Sequence, residues 1–144
     1  MFFASDNAGP VHPKVMERVI AANTDYAMPY GKDPIMDEVR AQIREQFEAP
    51  EAEVYLVATG TAANALALAC YTQPWQTIFC SKVAHIEEDE CNAPEFYAGA
   101  AKLTLVETED KMTPDALRRA IVARVAGDVH TPQRGPVSIT QVTE

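Results

Sequence analysis

The chain has 144 residues and is 47% hydrophobic, enough apolar material for one globular domain of ordinary size and too much for a disordered tail. Its 12 basic and 21 acidic residues give a formal charge of −9, which excludes a broad nucleic-acid or anionic-membrane surface because both need clustered Lys and Arg. The opening Met-Phe-Phe-Ala-Ser-Asp has no basic flank and no long apolar core, so neither a signal peptide nor a transmembrane span is expected.

From Pro13 to about Ala22, Val15, Val19 and Ala22 recur with Met16 and Ile20 beside them, predicting a short amphipathic helix opened by proline, with one face buried. The loop Asn23 to Lys32 holds turn formers with Tyr26 and Tyr30, which either line a site or simply pack. Asp33-Pro34 reads as an N-cap with proline just inside. Ile35, Val39, Ile43 and Phe47 then mark one face of a helix to about Glu48, ended by Ala49-Pro50.

Glu53 to Ala58 is a short apolar run of the kind a strand buried on both faces would have, and a helix is expected from about Thr61. Thr77-Cys80 and Lys102-Glu107 read as further strands. Thr113-Pro114 opens a helix carrying Leu117, Ile121 and Val125, and Pro136-Val142 reads as a last strand after a linker-like piece from Ala126 to Gly135. Alternating strands and helices imply an α/β fold of three layers, a mostly parallel sheet flanked by helices. Cys70, Cys80 and Cys91 are odd in number and lack Cys-x-x-Cys spacing, so reduced thiols and a cytoplasmic setting are expected. The last residues read as a strand still leading onward, which suggests a piece of a longer chain.

Two places could carry chemistry. Thr59-Gly60-Thr61 puts backbone N–H groups and two hydroxyls at the positive end of a helix, with Ala62, Ala63 and Ala65 leaving room for a bulky anionic ligand; plain capping explains the same residues equally well. Walker-type and Rossmann-type glycine patterns are absent, which disfavours nucleoside triphosphates and dinucleotides. Further on, Ala84-His85-Ile86 precedes the acidic run Glu87 to Glu90. His12, His85 and His130 show no ligand spacing, so no metal is expected and the acidic run reads as a solvated face. His85, just past a strand, either points into the ligand crevice or is an ordinary surface or core histidine.

In this order, Ser5-Asp6-Asn7, Tyr30-Gly31-Lys32-Asp33-Pro34, Thr59-Gly60-Thr61-Ala62-Ala63-Asn64 and Ala84-His85-Ile86 resemble the N-terminal portion of the low-specificity L-threonine aldolases, relatives of the β-eliminating lyases. The resemblance implies the large domain of an aspartate-aminotransferase-like fold, with residues 1–50 as an N-terminal arm and helices and 51–144 as the first part of the cofactor-binding domain. It implies pyridoxal 5'-phosphate as cofactor, with the phosphate on Gly60 and Thr61 and the ring stacked on His85. Tyr30 would reach a cofactor across a subunit interface, and Ser5 would help hold the substrate carboxylate. His85 or His130, or a water held by one of them, would serve as base. The implied reaction cleaves threonine, allo-threonine or a similar β-hydroxy-α-amino acid to glycine and an aldehyde, in a homo-oligomer, dimer or tetramer. The family's Schiff-base lysine has no counterpart among Lys14, Lys32, Lys82, Lys102 and Lys111, so this chain without a missing C-terminal half is expected to be inactive. The alternatives are another pyridoxal-phosphate β-eliminating lyase and a noncatalytic α/β domain that binds a phosphorylated ligand.

Overall fold

Residues 8–108 and 111–141 are described by a computed structural model, in which the chain divides between Tyr55 and Leu56 into two units. Ser5, assigned above to the substrate carboxylate, lies outside the described residues.

The first unit holds α1 (Pro13–Ala22) and α2 (Pro34–Gln46), both with proline in the first turn, where its missing N–H costs nothing. The His12 ring accepts from the Lys14 amide, and Asp33 Oδ1 accepts from the Met36 amide at 2.9 Å, so each helix starts where a side chain can cap it. The expected buried face of α1 is not found: no residue of α1 is buried, and Val15, Val19 and Ile20 stay exposed. Two short helices offer each other too little surface to enclose an apolar stripe. Along α2, Val39 and Ile43 are half-buried while Ile35 and Phe47 remain exposed.

In the second unit, α3 (Gly60–Tyr71) is followed by β1 (Gln76–Ser81), α4 (His85–Glu88), α5 (Ala93–Tyr97), β2 (Lys102–Val106), α6 (Pro114–Val122) and β3 (Gln133–Val137). The three strands form one parallel sheet in the order β2-β1-β3. The chain leaves β1 toward β2 through α4 and α5, then crosses back through α6 to the far side of β1. Crossovers of one hand running in opposite directions need opposite faces of the sheet, and the two cores show it. Ile78 and Cys80 pack with Ala84, Ile86, Ala98 and Leu68 on one face; Phe79 and Val106 pack with Ala116, Leu117 and Ile121 on the other. The alternation Ile78, Phe79, Cys80 is the two-residue period of a strand covered on both sides.

Two expected strands are corrected. Residues 53–58 form no strand, and Tyr55 and Leu56 are exposed. β propensity is realised only against a neighbouring backbone, and no described segment pairs with this run. The last strand among the described residues begins three residues earlier than expected, at Gln133, and ends at Val137, while Val142 lies outside the described residues. It is seated by the Gln133 amide on the Trp75 carbonyl and by the Ser138 amide on the Phe79 carbonyl, both at 2.8 Å. Between them Thr77 pairs with Arg134 and Phe79 with Val137, so Gly135 and Pro136 together oppose Ile78 alone. Pro136 has no N–H to give the ladder, and a bulge absorbs the gap. Gly135 is required there: a Cβ would sit 2.5 Å from the Thr77 carbonyl oxygen.

A tight reversal follows α4. Cys91 and Asn92 both take left-handed backbone, with φ of 50° and 59°, before α5 begins. No helix among the described residues is long and apolar enough to cross a membrane.

Candidate active site

At the start of α3, the Thr59 hydroxyl accepts from the Ala62 amide at 3.1 Å and the Thr59 carbonyl from the Ala63 amide at 3.1 Å. The Gly60 and Thr61 amides, the first two of the helix, have no intrahelical acceptor, and no acidic side chain stands in the first turn to neutralise them. Gly60 is required neither by its backbone, which is not left-handed, nor by packing, since a Cβ there would meet nothing within 4 Å. What the glycine leaves is open space at the first turn of α3, where two N–H donors have no intrahelical acceptor. That donor set suits a phosphate, so these residues fit the anionic end of pyridoxal phosphate.

α3 returns through a short turn to β1, so the amino end of α3 lies toward the carboxyl end of β1. The lengths agree, at about 18 Å for a 12-residue helix and about 20 Å for a six-residue strand. His85, the first residue of α4, stands beyond that same carboxyl end, where ligands bind in open α/β sheets. Its side chain is 41% exposed, and its Nδ1 lies 2.8 Å from Glu90 Oε1. The same oxygen accepts from Asn64 Nδ2 at 2.6 Å, and Asn64 lies one turn beyond Gly60 and Thr61 on α3. The buried Glu90 carboxylate therefore joins His85 to the first turns of α3.

Glu90 corrects the reading of the acidic run as a solvated face. Glu87, Glu88 and Asp89 are exposed, whereas Glu90 is buried and its Oε2 has no hydrogen-bond partner among the described residues. Asn64 and Glu90 are the site residues that sequence reasoning missed. A polar residue one helical turn past the Thr-Gly-Thr turn was the available signal for Asn64; nothing local separated Glu90 from its acidic neighbours.

His130 lies elsewhere in the second unit. His130 follows Asp128 in a surface turn, its amide donating to Asp128 Oδ1 at 2.9 Å, three residues before β3 begins. With Gln76 and Lys102, the first residues of β1 and β2, it lines a hollow at the amino ends of the strands. His85 is at the other end, so the structure does not bring the two histidines together; a strand length of about 20 Å separates those ends. Tyr30, in the first unit, is 95% exposed with a left-handed φ of 62°, followed by Gly31 at 69°. Behind the site, burial first and the nearby Glu87 and Glu95 carboxylates second push the Cys80 thiol up to about 12. All three cysteines are free thiols, Cys80 buried and Cys70 and Cys91 exposed.

A family profile described as "Beta-eliminating lyase" matches residues 3–144. The chain belongs to the beta-eliminating lyase family. Among curated members, the chain is 39% identical over 143 residues to the "Low specificity L-threonine aldolase" of Pseudomonas aeruginosa, covering 99% of the present chain and 40% of that protein. A protein of the same name from a Pseudomonas species is 38% identical over the same length. The chain thus spans about 40% of the length of the curated relatives it matches. Its backbone also superimposes on a solved threonine aldolase of Leishmania major with a TM-score of 0.84 at 24% identity, over 95% of this chain and 39% of that one, a likeness of fold. The α/β architecture with a parallel sheet between helices is therefore that of the family.

Proposed function

We propose that the whole natural protein is a pyridoxal-phosphate-dependent aldolase that cleaves L-threonine, L-allo-threonine or a related β-hydroxy-α-amino acid to glycine and an aldehyde. The observation that carries this reading is the bridge from His85 through Glu90 to Asn64, which gathers an imidazole and an anion-ready helix start at one end of the sheet. The family membership and the aldolase names of the two Pseudomonas relatives support it.

In this reading the Gly60 and Thr61 amides and the Thr61 hydroxyl would hold the cofactor phosphate, and the flat His85 ring would face the pyridine ring. When bound, pyridoxal phosphate supplies an electron sink for the pair released as the Cα–Cβ bond of the substrate breaks. The chain's own part is to hold and orient, and His85 is the group suited to take the β-hydroxyl proton, directly or through a water, because imidazole titrates near neutral pH. His130 is given no part, since it stands at the amino ends of the strands. Ser5 would help hold the substrate carboxylate. Tyr30 would approach the cofactor of a second subunit in a homo-oligomer, and the setting would be cytoplasmic.

The test is the whole natural protein with pyridoxal phosphate and threonine. The expected result is a long-wavelength absorbance of bound cofactor and equimolar glycine and acetaldehyde. Protein that stays colourless, or that releases ammonia and a keto acid in place of glycine, would refute the aldolase reading.

A further inference from the structure

We propose that Glu90 is a positioning residue that fixes the tautomer and plane of the His85 ring, and that Asn64 couples this setting to α3; the inference rests on the reading of His85 as the residue facing the cofactor ring. The geometry is specific. His85 Nδ1 and Asn64 Nδ2 lie 2.8 Å and 2.6 Å from the same Glu90 oxygen. An oxygen that accepts from an amide at that distance has a lone pair left for an imidazole N–H, so Nδ1 carries the proton and the lone pair of the neutral ring is on Nε2.

The backbone is arranged for this contact. The amides of Glu87 and Glu88 close on the Ala84 carbonyl and that of Asp89 on the His85 carbonyl, making α4 one tight turn. That turn brings position 90 back beside position 85, and the left-handed pair Cys91–Asn92 then carries the chain away. Left-handed conformations at non-glycine residues are costly and persist where surrounding contacts over-determine them. Glu90 Oε2, buried without a partner among the described residues, points the same way. A half-satisfied buried carboxylate is a poor choice for stability alone, where an apolar side chain would serve at least as well. Its usefulness lies in what Oε1 does to His85. Orienting carboxylates of this kind set which imidazole nitrogen is available for chemistry.

The experiment is long-range 1H–15N correlation of the histidine rings in the whole natural protein labelled with 15N-histidine, without cofactor, at a pH where His85 is neutral. The wild type should show His85 protonated on Nδ1. Glu90→Ala should invert the populations so that Nε2 carries the proton in the majority. Glu90→Gln should restore Nδ1–H, because Asn64 holds the amide oxygen toward the ring. A wild-type ring protonated on Nε2, or an unchanged tautomer in Glu90→Ala, would overturn the proposal. Should Glu90→Ala fail to fold, the wild type and Glu90→Gln decide it by the same criterion. Addition of pyridoxal phosphate, followed by absorbance, separates the two claims: an Nδ1–H ring in a protein that binds no cofactor overturns the functional reading and leaves the tautomer assignment standing.

Discussion

Replacing Gly60 by alanine separates a binding role from a structural one. An added Cβ would meet no atom of this chain within 4 Å, and the backbone there is not left-handed. The fold should therefore tolerate the methyl, with a change of no more than about 1 kcal/mol and in the stabilising direction, since alanine loses less chain entropy than glycine on folding. In the proposed reading, the same methyl would crowd a phosphate held by the Gly60 and Thr61 amides. Forcing one extra carbon into a filled contact costs about 1–3 kcal/mol. At 1.4 kcal/mol per tenfold, that is about a 5- to 150-fold rise in the Kd for pyridoxal phosphate. The assay is a pair of measurements on the whole natural protein: urea unfolding without cofactor, and titration with pyridoxal phosphate followed by absorbance. Unchanged affinity would show that no ligand occupies this space and that Thr59 and Gly60 are simply a helix start. A large loss of stability without cofactor would refute the claim that the glycine is free of packing duties.

Gly135→Ala should behave in the opposite way: its Cβ would lie 2.5 Å from the Thr77 carbonyl oxygen and 3.2 Å from Gln76 Cβ, and backbone cannot step aside cheaply. A stability loss of about 1–3 kcal/mol is expected in urea unfolding. Asn64→Ala removes one of the two donors on the buried Glu90 oxygen and should cost about 1–3 kcal/mol by the same measurement. Since the Cys80 thiol is raised from 9.0 to about 12, the unfolded chain loses its proton first as pH rises; the contribution of Cys80 is constant below pH 9 and declines from there toward about 12. Unfolding midpoints across that window, compared with those of Cys80→Ala, should show the decline shrink in the variant. At neutral pH a maleimide should label Cys70 and Cys91 well before Cys80.

Helix starts were legible because their causes are local. Asp33-Pro34 and Thr113-Pro114 place an acceptor oxygen and a proline within one turn, and both open helices as expected. The strands at Gln76–Ser81 and Lys102–Val106 were legible for a different reason: their apolar runs find a parallel partner within the chain. Glu53–Ala58 has the same local character and no described partner, so a pattern that depends on neighbours misled. Gln133–Val137 was displaced from its expected position because a bulge around Pro136, set by contacts with Thr77 and Phe79, decides the register. At the site the division is similar. Thr59-Gly60-Thr61 advertises an anion-ready helix start in three consecutive residues, whereas Glu90 becomes distinct from Glu87 only after α4 turns and buries it. His130 shows the limit of reading proximity along a chain: in a parallel sheet, residues just before a strand and residues just after one fall at opposite ends.

The left-handed pair at Cys91 and Asn92 limits which substitutions this loop can accept. Asparagine tolerates such a backbone better than most residues, and glycine would adopt it with no penalty at all. Asn92→Gly should therefore relieve local strain while giving the segment after Glu90 more freedom in the unfolded chain and more ways to drift when folded. A β-branched residue at 92 would oppose the turn outright. The route open to this loop is narrow, because the change that is easiest on the backbone is also the one that loosens the grip of Glu90 on His85.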